Sequence, residues 1–295
     1  MVMNSIDLHI HSTFSDGVLR PSELVVAATK LDLQGLALTD HDTVEGLDEF
    51  METGAREKLE TVAGIEISSY FGEQPVHILG YGMDWRHAAL VEQVEEMQRI
   101  RDDRNRKIQN RFKGLGIRIS DEDLARVSEG QIGRPHFAMV LCDKGIVTTV
   151  EQAFVRYLRK NGQAYVAKEK YAASEAIRAI RKAGGITVLA HPWCTDHSLR
   201  TIPLLLNRLQ DIGLEGVEVY YPAHSAATRD ALLDMARRLR LLVTGGSDFH
   251  GTGHSARLAG DGKDSFLVPA ELLDDLRKRL PANQKRRVPL TAARE

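Results

Sequence analysis

The sequence predicts an α/β barrel of seven strands that carries a helical insertion. Three observations lead there. Short apolar, β-rich runs alternate with helical patterns, the signature of βα units on a mostly parallel sheet. One stretch, from about residue 84 to residue 163, holds several helical patterns and no convincing strand. A chain of 295 residues at 43% hydrophobic content can bury a core of barrel size, which excludes a fibrous or disordered protein.

The first strand, "IDLHIH" (6–11), leads to a helix over Pro21 to Leu31, where proline suits the first turn. "GLALTD" (35–40) precedes a helical pattern over 45–59. "TVAGIEI" (61–67) and "VHILGY" (76–81) are the third and fourth strands, and the insertion follows them with a long charged helix from His87 to Lys113. The chain then returns through a helix over 174–183 to the fifth strand, "GITVLAH" (185–191). The sixth strand is "GVEVYY" (216–221), a helix covers 224–240, and "LLVTGGSD" (241–248) is the seventh strand. Residues 1–83 and 164–295 thus form the barrel and 84–163 the insertion, with the tail "KRRVPLTAARE" loosely held.

A formal charge of −2, from 39 basic and 41 acidic residues, makes the surface as a whole no trap for polyanions. Any basic site is local. Cys142 and Cys194 have neither zinc-knuckle nor C-x-x-C spacing and are expected as plain thiols in a reducing compartment. With no basic leader and no apolar run of about 18 residues, the expectation is a soluble cytoplasmic protein with no membrane partner.

The chemistry begins in "DLHIHSTFSDG". Side chains two apart on a strand share a face, so His9 and His11 leave the first strand side by side, and Asp16 lies in the loop beyond. "LALTDHD" ends the second strand with Asp40 and His41, "GIEIS" ends the third with Glu66, and "PVHILG" puts His77 on the fourth. "VLAHP" supplies His191, and "GGSDFHG" supplies Asp248 and His250. In barrels of parallel strands the C-terminal strand ends meet at one mouth. Singly, each residue has an ordinary reading: His77 as a core or surface histidine, Asp40 as a helix cap. Together they read as a metal site, with too many ligands for one tetrahedral ion. Two to three divalent ions are expected, manganese first, with zinc, iron and magnesium left open. Asp40 stands where it can orient a ligating imidazole. His87 and His224 are expected on solvated helical faces.

In this order, "DLHIHSTFSDG", "TDHD", "GIEIS", "AHP" and "SDFHG" resemble the polymerase and histidinol phosphatase (PHP) domain, within the wider amidohydrolase group. The resemblance covers nearly the whole chain. It implies a distorted (β/α)7 barrel and metal-dependent phosphoester hydrolysis. It also implies three ions: one held by His9, His11, Glu66 and Asp248, a second by Asp16, His41 and His250, a third by Glu66, His77 and His191. The catalytic set is then His191, His250 and Asp248, with His197 a further candidate for protonating the leaving oxygen.

The insertion is expected to emerge beside the mouth and choose the substrate. Along its long helix a heptad-spaced stripe reads Leu90, Val94, Met97, Arg101, Arg104, Ile108, so an inward face turns basic. Planar guanidiniums suit phosphate, although a solvated charged face explains the run equally well. In "IGRPHFA", Pro135 opens a helix and places Arg134 and His136 near an N-terminus that attracts anions; a buried structural His136 is the competing reading. Lys168 is a weaker candidate. The insertion, "GRPHFA" and "YVAKEKY" resemble the family branch that removes the 3′-phosphate from nucleoside 3′,5′-bisphosphates such as pAp, related to 5′-to-3′ exoribonucleases. A small nucleotide, and short RNA after it, are the partners implied, with no DNA-specific binding. Another small-molecule PHP phosphatase, of the histidinol-phosphate type, and a non-catalytic metal-binding module are the alternatives.

Overall fold

The structure is a computed structural model that describes residues 5–128, 130–167, 169–251, 256–261 and 266–280. Lys168, His254 and the tail from 281 onward lie outside the described residues. All seven expected strands are present. The chain opens with β1 (Asp7–Ile10), α1 (Pro21–Lys30), β2 (Gly35–Leu38), α2 (Leu47–Glu57), β3 (Glu60–Phe71) and β4 (Gln74–Tyr81). The insertion follows as α3 (Ala88–Gly114), α4 (Asp121–Ala125), α5 (Arg134–Asp143), α6 (Val150–Ala153) and a π-helical turn over Phe154–Leu158. The barrel resumes with α7 (Ala173–Lys182), β5 (Ile186–Leu189), α8 (Pro192–Thr195), α9 (Ile202–Asp211), β6 (Gly216–Tyr220), α10 (Ala226–Leu239), β7 (Leu242–Gly245) and α11 (Glu271–Arg279).

The strands form one sheet in sequence order, β1 to β7. Beyond β7, Asp248 N–H donates to the His9 carbonyl at 2.8 Å and His11 N–H donates to the Phe249 carbonyl at 2.9 Å. These bonds lay the chain after β7 alongside β1, across the gap between the first and last strands of the sheet.

The sheet departs from the parallel expectation at one strand. β4 pairs antiparallel with both β3 and β5. Only Gly72, at φ +61°, and Glu73 separate β3 from β4, so the link is a hairpin, whereas a parallel crossover needs a dozen residues or more. β4 therefore starts at the mouth and ends at the opposite side, and the expectation that the insertion emerges beside the mouth is corrected. α3 sets out from the far side and climbs. Its 27 residues span about 40 Å. Leu90, Val94 and Met97 pack into the barrel's outer core, while Ile108 and Phe112 belong to a separate core inside the insertion, with Phe137, Leu141 and Leu158.

The outer core lies between strands and helices, joining Ile10, Leu36, Ile65 and Ile78 to Leu24, Phe50, Ile177 and Leu206. A second core joins Ile6, Leu8, Val62, Leu79, Val188 and Leu242 to Leu272, Leu273 and Leu276 of α11. This helix, which the sequence reading did not anticipate, lies across the bottom of the barrel. Leu273 abuts Gly35, Arg277 pairs with Glu60, and Leu280 abuts Gly82. A side chain at Gly35 would come within 2.4 Å of Leu273, which is why glycine stands there.

His87 caps α3, its Nδ1 accepting from Ala89 N–H at 3.2 Å. His224 is buried and donates from Nδ1 to the Val219 carbonyl at 2.8 Å, so neither lies on a solvated helical face as expected. Both cysteines are free. Among the described residues no helix is long and apolar enough to cross a membrane.

Candidate metal centre

Glu66, fully buried on β3, is the hub. Its Oε2 lies 3.2 Å from His9 Nε2, 3.2 Å from His11 Nε2 and 3.1 Å from His41 Nδ1. Its Oε1 lies 2.7 Å from His77 Nδ1 and 3.0 Å from His191 Nε2. Asp248 Oδ1 approaches His9 and His11 Nε2 at 3.3 and 3.1 Å, and Asp16 Oδ1 approaches His250 Nε2 at 3.2 Å. All of the proposed ligands thus meet in one contiguous cluster. His77 arrives by a different route from the others: it stands near the start of β4, opposite Ser68, and reaches the mouth because that strand is reversed.

Three overlapping groups offer one donor atom each with all atoms within 4.8 Å: His9, His11, Glu66 and Asp248; His11, Asp16, His41 and His250; His41, Glu66 and His77. The first group coincides with the set the resemblance implies. In the second His11 joins, and in the third His41 stands where His191 was expected.

The donor set fits divalent cations. His11 Nε2, Asp16 Oδ1 and His41 Nδ1 are buried without a hydrogen-bond partner, a costly arrangement that a bound ion relieves. Burial disfavours the charged form of His11, yet the Asp248 and Glu66 carboxylates, 3.1 and 3.2 Å from its Nε2, more than reverse this and lift its pKa to about 10. Burial drives His41 the other way, to about 3. Burial also works against the Glu66 carboxylate, but the imidazoles of His41, His9 and His77 hold it well below the usual range. Without a cation, only protons on imidazoles balance these carboxylates, and a cation would displace them.

Supporting groups escaped the sequence reading. Glu218 on β6 is fully buried, with Oε1 2.9 Å from His9 Nδ1 and Oε2 accepting His191 N–H at 2.7 Å. Tyr221 donates to Asp248 Oδ2 at 3.1 Å, and Asp7 takes Ser247 N–H, Ser247 Oγ–H and Ala259 N–H. A lone acid inside the apolar run "GVEVYY" was the signal for Glu218. Asp40 does not touch an imidazole: it accepts from Ser12 N–H at 2.7 Å, Ser12 Oγ at 2.6 Å and Ser15 Oγ at 2.5 Å, and Ser15 Oγ lies 3.5 Å from His11 Nδ1. Its hold on His11 is therefore relayed through serine. Asp42, His191 and Asp248 all have φ between +24° and +54°, backbone strain of the kind that gathers at functional sites.

Beside the cluster opens a cavity of about 270 Å³, walled by Asp16, His41 and His77 on the barrel side and by Arg101, Arg104, Arg134 and His136 on the insertion side. The arginines differ. Arg101 pairs with Asp42, so it ties the insertion to the loop after β2. Arg104 donates from Nε to the Val166 carbonyl at 3.0 Å, and Arg134 packs over the Phe154 ring. Among the described residues neither has a carboxylate partner. Burial, with Arg134 and Arg101 nearby, lowers the Arg104 pKa to about 10. His136 is buried, accepts Gly133 N–H on Nδ1 at 2.9 Å and still faces the cavity. His197 stacks on Trp193 at 3.9 Å and does not line it.

The PHP domain profile matches residues 7–185. The chain is 34% identical over 245 residues to a 5′-3′ exoribonuclease of Haemophilus influenzae, covering 83% of this chain and 89% of that one. It is 34% identical over 264 residues to a 3′,5′-nucleoside bisphosphate phosphatase of Chromobacterium violaceum, covering 89% and 93%. A solved structure from Bifidobacterium adolescentis, assigned as a metal-dependent phosphoesterase, superposes with a TM-score of 0.83 at 30% identity over 94% of this chain and 97% of that one. By its strand order, its cluster and these likenesses, the chain belongs to the PHP domain family.

Proposed function

We propose that the chain hydrolyses the 3′-phosphate of nucleoside 3′,5′-bisphosphates such as pAp, releasing the 5′-monophosphate. One observation carries the reading: a cluster fit for cations and two guanidiniums without acid partners among the described residues, Arg104 and Arg134, face one cavity. Two places for anions suit a small substrate with two phosphates.

Two to three divalent ions, manganese first, would be held by His9, His11, Asp16, His41, Glu66, His77, His191, Asp248 and His250. When bound they supply Lewis acidity and an acidified water. The chain's own residues do the rest. Arg104 and Arg134 hold the 5′-phosphate and so orient the ribose, with His136 completing that wall. His191, whose Nδ1 is turned away from the cluster, holds the proton for the leaving 3′-oxygen, while His250 has Nδ1 on the Asp248 carbonyl and Nε2 beside Asp16 and serves as a ligand alone. A second reading, trimming of short RNA from a 5′ end, is favoured by the equal identity to the exoribonuclease. Both reactions break a phosphoester at a ribose 3′-oxygen next to a 5′-phosphorylated end.

A phosphate-release screen over nucleotides, bisphosphates, sugar phosphates, histidinol phosphate and short 5′-phosphorylated RNA tests this, with metal content measured on the same sample. Fastest turnover of pAp is expected. Faster release from histidinol phosphate, or none from any ester, overturns the reading.

A further inference from the structure

Glu218 stands at the middle of β6, opposite Thr244 of β7, and is completely buried. Its two oxygens serve two members of the cluster, His9 through the ring and His191 through the backbone. His191 sits at φ +24° and ψ +62°, a conformation that costs a non-glycine residue free energy and persists only where neighbours enforce it.

We infer that Glu218 is the positioning residue of the metal centre: it fixes His9 in the Nδ1–H form and pins the strained turn that aims His191 at Glu66. The inference rests on the cluster being a metal centre.

A carboxylate only accepts, so both of its neighbours must donate. The backbone N–H of His191 has no other role to play. His9 must then carry a proton on Nδ1, which leaves Nε2 as the nitrogen that can give up its own proton and offer a lone pair to a cation. That Nε2 lies 3.2 Å from Glu66 Oε2 and 3.3 Å from Asp248 Oδ1, where the donor atoms of the cluster converge. A glutamine at 218 has the same shape but a single acceptor. Its NH₂ group must meet one of the two donors. Either His9 shifts its proton to Nε2 and points N–H at the ion's position, or the His191 turn loses its anchor.

The test uses the full chain, stripped with chelator and titrated with Zn²⁺, together with ¹⁵N spectra of histidine-labelled protein in which His9 is assigned from a His9→Gln sample. In the zinc-loaded wild type His9 is expected as the Nδ1–H form. Glu218→Gln is expected to bind Zn²⁺ about 10- to 100-fold more weakly, with the His9 ring signals of the zinc-loaded sample moved away from the Nδ1–H pattern of the wild type. Zinc binding by the wild type with His9 protonated on Nε2, or wild-type affinity and unchanged His9 signals in Glu218→Gln, would overturn the role of Glu218 and leave the metal centre standing. Failure of the wild type to bind Zn²⁺ would overturn the metal centre, and this role with it. Should the variant not fold, the wild-type spectrum decides alone.

Discussion

The two ends of the barrel are built on opposite terms. At the bottom, Leu8, Val62, Leu79, Val188 and Leu242 fill the interior and α11 seals it with leucines. At the mouth, the same strands carry buried imidazoles and carboxylates, with Glu66 alone touching five histidines. Each buried leucine or valine contributes about 1.5–3 kcal/mol to folding, whereas burying charge costs free energy unless a partner offsets it. The contrast teaches that one sheet can separate stability from chemistry along the strand axis. The apolar end holds the strands where the polar end, left to itself, would push them apart.

The separation can be broken at either end. Glu66→Ala removes the hub, and turnover is expected to fall more than about 1,000-fold because several kcal/mol of transition-state stabilisation go with the ions. Steady-state kinetics with pAp and metal analysis of the same sample check this, and an unchanged kcat sinks the site. At the other end, Leu276→Ala in α11 is expected to cost about 2–5 kcal/mol of stability in urea unfolding, with kcat unaltered below the transition. A loss of kcat in fully folded protein would show that the ends are coupled.

Between the ends sits Asp7, beneath His9. Burial raises its pKa from 3.8 to about 6, outweighing bonds from Ala259 and Ser247. A raised folded-state pKa stabilises below the unfolded value and loses that contribution as pH rises through about 6. Relative to Asp7→Asn, the metal-free wild type should therefore lose about 2 kcal/mol between pH 4 and pH 7. Parallel stability curves for the two proteins in chelator would remove Asp7 from the account. The smallest effect is expected at the cavity wall: Arg134→Ala should raise KM about tenfold and leave kcat within about twofold. An equal fall in kcat would move Arg134 from holding substrate to stabilising the transition state.

The strands were legible because each is an apolar run bounded by turn residues, and the candidate ligands because they stand in short motifs at strand ends. The reversal of β4 was legible too, in the short "FGEQ" between two apolar runs, but apolar periodicity carries no direction and the parallel pattern elsewhere masked it. Glu218 was visible as a lone acid in an apolar strand. What it holds was not, since His9 lies 209 residues away. Nor could the stripe on α3 tell Arg101 from Arg104. They share a face and differ only in that the fold delivers Asp42 to the first, a pairing across 59 residues.

α3 has a consequence for recombining this protein with its relatives. Its first half is rooted with Ala176 and Ile180 in the barrel's outer core, and its second half belongs to the insertion. A graft cut at the loops flanking 84–163 would carry off Leu90, Val94 and Met97 and leave a trench in the recipient. The workable splice lies inside the helix, between Met97 and Arg101, where the arginines travel with the insertion and the apolar turns stay behind.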